Sequence, residues 1–132
     1  MASVKWLKEP ENHDFPAAAD YLGLIADPAL VTTLVDQLKK STVVHKKAKD
    51  ILRAAGLPLL PVDNAHVATD LAKIKKQEAL SPILLIRGDL RAGLPLQIAD
   101  GYHRVCATYH TDENTDIPTL LAEGVDPGTG HH

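Results

Sequence analysis

Apolar residues recur at three- and four-residue intervals over roughly the first 55 positions and in short unbroken runs after them, so the chain reads as helical first and mixed thereafter. "PAAADYLGLIA" predicts a helix from about Pro16 with Tyr21, Leu22 and Ile25 as its apolar face. Asp27-Pro28 is a start signal, an N-cap followed by proline at the first helical position, and opens a helix that carries Leu30, Leu34, Val35 and Leu38 to near Lys40. "VVHKKAKDILRAAG" sets Val44, Ala48, Ile51, Leu52 and Ala55 on one stripe of a third helix, stopped by Gly56. The texture changes at Leu57. "LPLLPV", residues 57–62, is an apolar run bracketed by prolines and predicts the first strand, at a sheet edge. Asp63 or Asn64 then caps a helix from about Ala65 to Glu78, with Val67, Leu71 and Ile74 inward. "ILLIR" predicts a buried strand and "LQIAD" its return across the hairpin connection "GDLRAGLP". A helix from about Tyr102 to Tyr109, an acidic loop and a last strand, "IPTLLAE", complete the pattern.

The fold class expected is therefore α/β (α+β), a small mixed sheet with helices and an N-terminal helical extension. Residues 1–56 form the extension, 57–123 the core and 124–132 a loose tail, all within one domain, as suits 132 residues. No apolar run approaches the roughly 20 residues of a membrane helix, and the first residues turn acidic where a signal peptide would turn apolar, which predicts a cytoplasmic protein without membrane partners. Cys106 is the one cysteine, so no disulfide forms within the chain; a buried thiol is its expected role. A formal charge of −3 argues against a dedicated nucleic-acid binder. Locally the balance reverses: nine Lys and Arg stand between Lys39 and Lys76 against three Asp, read as solvated helix faces with a nucleic-acid surface as the rival. Trp6 is expected to pin the N-terminal arm to the body.

The chemistry concentrates in "IADGYHRVCATYH". A strand ending at Asp100, a glycine, and a helix starting near Tyr102 leave unpaired backbone N–H groups at the positive end of a helix dipole, a natural anion site. Arg104 adds a guanidinium fork suited to phosphate oxygens, and His103 a donor whose charge responds near neutral pH. Asp100 has two roles open to it, capping the helix or holding Mg²⁺. His110, seven residues after His103, would share its helical face and with Asp100 would make three of the ligands of a metal site. Tyr102 is placed either to stack on a base or to pack.

The succession "LPLLPVDN", "HVATDLAKIKK", "LSPILLIR", "LPLQIADGYHRVCATYH" and "DIPTLLAE" resembles the ParB N-terminal domain and sulfiredoxin superfamily over about half the chain. In that superfamily the glycine-containing loop and the helix after it bind nucleotide phosphates, with CTP in ParB proteins, ATP and Mg²⁺ in sulfiredoxin, and ADP in a free-serine kinase. The resemblance implies nucleotide contacts from Gly101, Tyr102, His103, Arg104 and Pro82, Mg²⁺ on Asp100, and catalytic roles for Asp100 and His103. Asp63 or Asp70 would supply the general base for a phosphoryl acceptor. Tyr102 stands where sulfiredoxin carries its catalytic cysteine, and the ParB arginine pair is absent, so neither activity transfers as such. The function expected is binding of a nucleotide (ATP, ADP or CTP) or another phosphorylated ligand, by a hydrolase or phosphotransferase. A DNA-binding or nuclease-like module and a non-catalytic, antitoxin-like interaction protein are the alternatives. The N-terminal helices are expected to cover one sheet face, form a homodimer contact or recognise a partner.

Overall fold

Alternation inside two short strands decides the architecture. The structure, a computed structural model, describes residues 3–124. In chain order its elements are α1 (Asp14–Leu22), α2 (Pro28–Lys40), β1 (Val44–Lys47), α3 (Ala48–Ala55), α4 (Ala65–Lys75), β2 (Ile83–Ile86), β3 (Gln97–Asp100), α5 (Tyr102–Thr111) and β4 (Asp116–Ala122), a mixed α/β fold. The strands form one sheet in the order β1-β4-β2-β3, with β2 and β4 parallel and the outer pairs antiparallel.

All four residues of β2 are buried, and successive side chains go to opposite faces. Ile83 and Leu85 join Ile98 and Ile117 under α3, α4 and α5, while Leu84 and Ile86 join Ala99, Leu120 and Ala122 under α1 and α2. A sheet covered on both faces needs continuous apolar strands, and "ILLI" is one. Trp6 packs on the first cluster, and the arm that carries it is tied to Leu80 by Leu7 N–H donating at 2.8 Å and Lys5 C=O accepting at 2.8 Å.

Several expectations change. Val44–Lys47 is a strand, not the first turn of a helix: it lies along Asp116–Thr119 of β4, and this pairing outweighs a local pattern that fits either form. The rest of the stripe stands, with Ala48, Ile51, Leu52 and Ala55 buried on α3. Conversely, 57–62 forms no strand. Pro58 and Pro61 have no N–H to give a ladder, and the carbonyls of Pro58 and Leu60 are taken by the Tyr102 hydroxyl and the His110 ring. On α1 the buried face is Asp14, Ala18 and Leu22; Tyr21 and Ile25 are exposed. On α2, Val31 replaces Leu30 in the core. α4 ends at Lys75, with Gln77 in left-handed conformation just beyond. The sequence boundary at residue 56 therefore separates nothing, since β1 and α3 share one sheet and one core with the elements after Leu57. The expected tail, apart from Gly124, lies outside the described residues.

Candidate functional site

β3 delivers Asp100 opposite Leu84, at the end of the sheet where β2 begins. Gly101 then turns the chain with φ of 109°, and a Cβ there would stand 2.5 Å from Ile83 Cδ1 and 2.8 Å from Arg104 Nη2, so two constraints ask for glycine. The first backbone bond of α5 runs from Val105 N–H to Gly101 C=O at 3.0 Å. No side chain caps the helix. The amides of Tyr102, His103 and Arg104 are thus left without acceptors among the described residues, as the local sequence predicts.

Asp100 is not that cap. Its Oδ2 accepts from Arg104 Nη2 at 2.6 Å. Arg104 Nη1 donates to Ser81 C=O at 3.0 Å and lies 3.7 Å from Asp14 Oδ2. Asp14, only 3% exposed, also accepts from Glu11 N–H at 3.0 Å and from the Ser81 hydroxyl. The guanidinium foreseen as a phosphate fork is therefore a tie between the N-terminal segment, the start of β2 and the end of β3. Removing one partner of such a buried arrangement strands the others' charges at a cost of about 3–5 kcal/mol.

Beside this tie opens a cleft of about 330 Å³. His66, Asp70 and Lys73, spaced to share one face of α4, line one wall; Gly101, His103 and Arg104 line the other. The rings of His66 and His103 lie 4.7 Å apart, tilted by 46°. Burial lowers the His103 pKa, the neighbouring His66 adds to this, and Asp70 opposes both. Burial raises the Asp70 pKa against the pull of Lys73, Arg104, His103 and His66. Asp100 is likewise raised by burial, with Arg104 pulling it down and Asp14 pushing it up. Among the described residues Asp70 has neither an ion pair within 4.0 Å nor a side-chain hydrogen bond, which leaves it free to act on whatever enters.

Of the residues singled out in the sequence, Asp100, Gly101, His103 and Arg104 meet at the cleft, and Asp70 of the two candidate bases joins them. Tyr102 does not line it: its hydroxyl donates to Pro58 C=O at 2.5 Å. Pro82 is buried at the head of β2 and lines no part of the cleft. Asp63 is exposed and outside it, and Asn64 caps α4 instead, accepting from His66 and Val67 N–H at 3.0 and 3.2 Å. His110 is spent on Leu60 C=O at 2.7 Å. Cys106 is fully buried, which pushes its thiol pKa up. Asp14, Ser81, Glu11 and His13 border the cleft without having given any sign in the sequence, because acids near a helix start such as α1 are common for reasons of the dipole alone.

A Mg²⁺ ion held by Asp100 does not fit these residues. It would sit against the Arg104 guanidinium, and among the described residues no three His, Cys, Asp or Glu converge as a metal site. The basic run from Lys39 to Lys76 is divided between the two faces of the sheet: Lys39, over the Phe15 ring, belongs to α2, and Lys73 to α4. Lys47 pairs with Asp116 and Arg53 with Asp50. No helix among the described residues is long and apolar enough to cross a membrane. No family profile, curated protein or solved structure matches the chain.

Proposed function

We propose that this protein binds a phosphorylated small molecule in the cleft at the start of α5, a nucleotide being the class its sequence resemblance favours. One observation carries the reading: the uncapped start of α5, whose first-turn amides have no acceptors among the described residues, borders a cleft that His66, His103 and Lys73 also line, so that helix dipole, backbone donors and side-chain donors meet at one hollow. Arg104 supports the reading indirectly, by fixing Gly101 and the helix start rather than by touching phosphate. Where the ligand is turned over, Asp70 is the acid best suited to take a proton from an attacking hydroxyl or water, since its carboxylate is uncommitted and its pKa is raised toward the working range. Catalysis would otherwise be positioning and charge neutralisation, as phosphoryl transfer requires. The cytoplasm, reducing and rich in nucleotides, suits a chain whose lone cysteine is a buried thiol. A DNA-binding role draws less support, because the lysines and arginines that prompted it are divided between helices on the two faces of the sheet.

The test is a thermal-shift and calorimetric screen of ATP, ADP, CTP, GTP and pyrophosphate, each with and without Mg²⁺. A true ligand at a hundredfold excess over its Kd stabilises by about 2.7 kcal/mol. His103→Ala is expected to weaken it about tenfold or more, about 1.4 kcal/mol, without loss of fold. Binding equally strong in His103→Ala and in Lys73→Met would place the ligand elsewhere.

A further inference from the structure

We infer that the anion in this cleft is held by protons on His66 and His103, not by a divalent cation or by Arg104, so that binding takes up protons. This rests on the phosphate-binding reading above and concerns the same site. Four carboxylates border the cleft: Glu11 and Asp14 from the N-terminal segment, Asp70 from α4 and Asp100 from β3. Against them stand two permanent cations, and one of these, Arg104, is already spent on Asp100 and Asp14. Lys73 has Asp70 one helical turn away. His13, on the same wall, lies 3.7 Å from Glu11 and 3.4 Å from Asp14 and is paired with those carboxylates. With neutral imidazoles the wall is therefore net negative and repels a phosphate.

The remaining positive charge has to come from His66 and His103, whose rings lie 4.7 Å apart, inclined by 46°, in the cleft that the start of α5 borders. Two imidazolium ions that close repel one another, and an anion that accepts from the ring N–H groups of both offsets that penalty. The other neighbours supply nothing comparable, since Tyr102, whose ring lies 5.7 Å from that of His103, is neutral over this pH range. In the free protein burial and the second imidazole both lower the His103 pKa, against the opposing pull of Asp70, and an anion bound beside the ring reverses that bias, so that proton uptake accompanies binding. The arrangement fits a terminal phosphate or pyrophosphate group, whose second ionisation lies near pH 6 and which brings about two charges. A phosphodiester brings one charge and would engage only half of the pair.

The experiment tracks sulfate and pyrophosphate binding from about pH 5.5 to 8, with and without Mg²⁺, by calorimetry and by NMR of the histidine ring protons. Sulfate keeps its charge over this range, so any pH dependence of its binding belongs to the protein. Affinity is expected to fall by up to about tenfold per pH unit for each proton taken up, with both ring pKa values raised by the anion. Mg²⁺ is expected to add nothing to sulfate binding. His66→Gln, at the exposed first turn of α4, should roughly halve the slope, and His66→Gln with His103→Gln should abolish it. Affinity independent of pH, or binding that appears only with Mg²⁺, overturns proton uptake and leaves the phosphate site standing. No binding of either probe under any of these conditions overturns the phosphate site itself.

Discussion

Among the described residues Asp70 is the carboxylate of the cleft with neither an ion pair nor a side-chain hydrogen bond, and its burial has a measurable cost. Burial raises its pKa, so the folded protein holds that proton more tightly than the unfolded chain does. Stability therefore falls as pH rises through the raised value, and the loss is absent below the ordinary carboxylate value of 3.8. Asp70→Asn is accordingly expected to raise the urea midpoint near pH 7 and to leave it unchanged near pH 3; a midpoint lowered near pH 7 would mean that the carboxylate is a structural partner after all. A group that destabilises its own fold is a functional candidate in its own right. Proximity along the chain decided which site residues were legible. Asp100, Gly101, His103 and Arg104 stand together in the chain, so the string alone showed them. Asp70 entered only through the resemblance; it sits with His66 and Lys73 on a helix some thirty residues earlier, and Asp14 lies further still, and folding brings them to the cleft. Nor could the string show that Arg104, which lines the cleft, is bonded to Asp100 and lies against Asp14, because that depends on two carboxylates of which one is some ninety residues away.

At the scale of elements, α4 is the working helix, and its start is fixed by Asn64, whose side chain accepts two amides of the first turn. Asn64→Ala is expected to cost about 1 kcal/mol in chemical denaturation, with Asn64→Asp close to neutral. Because His66 lies in that first turn, the Ala variant should also broaden its ring resonances, and an unaltered midpoint would show that the cap is not needed. Elements whose periodicity was strong over a full length, α2, α3 and β2, emerged from the sequence with most of their buried positions. Short ones did not. Four residues at Val44–Lys47 carry too little pattern to separate strand from helix, and their state was settled by β4, about seventy residues away. The "LPLLPV" run shows the reverse case: apolar and extended enough for a strand, it lacks the N–H groups at two positions that a ladder needs, and its carbonyls bond side chains of α5.

For the whole molecule, the sheet is a wall with helices on both sides, and the expected division at residue 56 would remove one side entirely. A polypeptide beginning at Leu57 would lack α1 and α2 and so bare Leu84, Ile86, Ala99, Leu120 and Ala122 to water. It would also lose β1, leaving β4 as an open edge, and α3, which supplies Ile51 and Leu52 to the opposite core. Exposed contiguous apolar surface and an unpaired strand both favour association over folding. Such a polypeptide is expected to show no cooperative unfolding transition by circular dichroism and to elute as aggregate in size-exclusion chromatography. Its site would fail for a second reason: without Asp14 the Arg104 guanidinium keeps only Asp100 and the Ser81 carbonyl, and the cleft loses the wall formed by Glu11 and His13. A monomeric, cooperatively folded 57–124 fragment that still bound pyrophosphate would show that the N-terminal helices are an appendage. The fold argues otherwise, because the residue that steadies the centre of the site, Asp14, is also the first residue of the helix that covers the sheet.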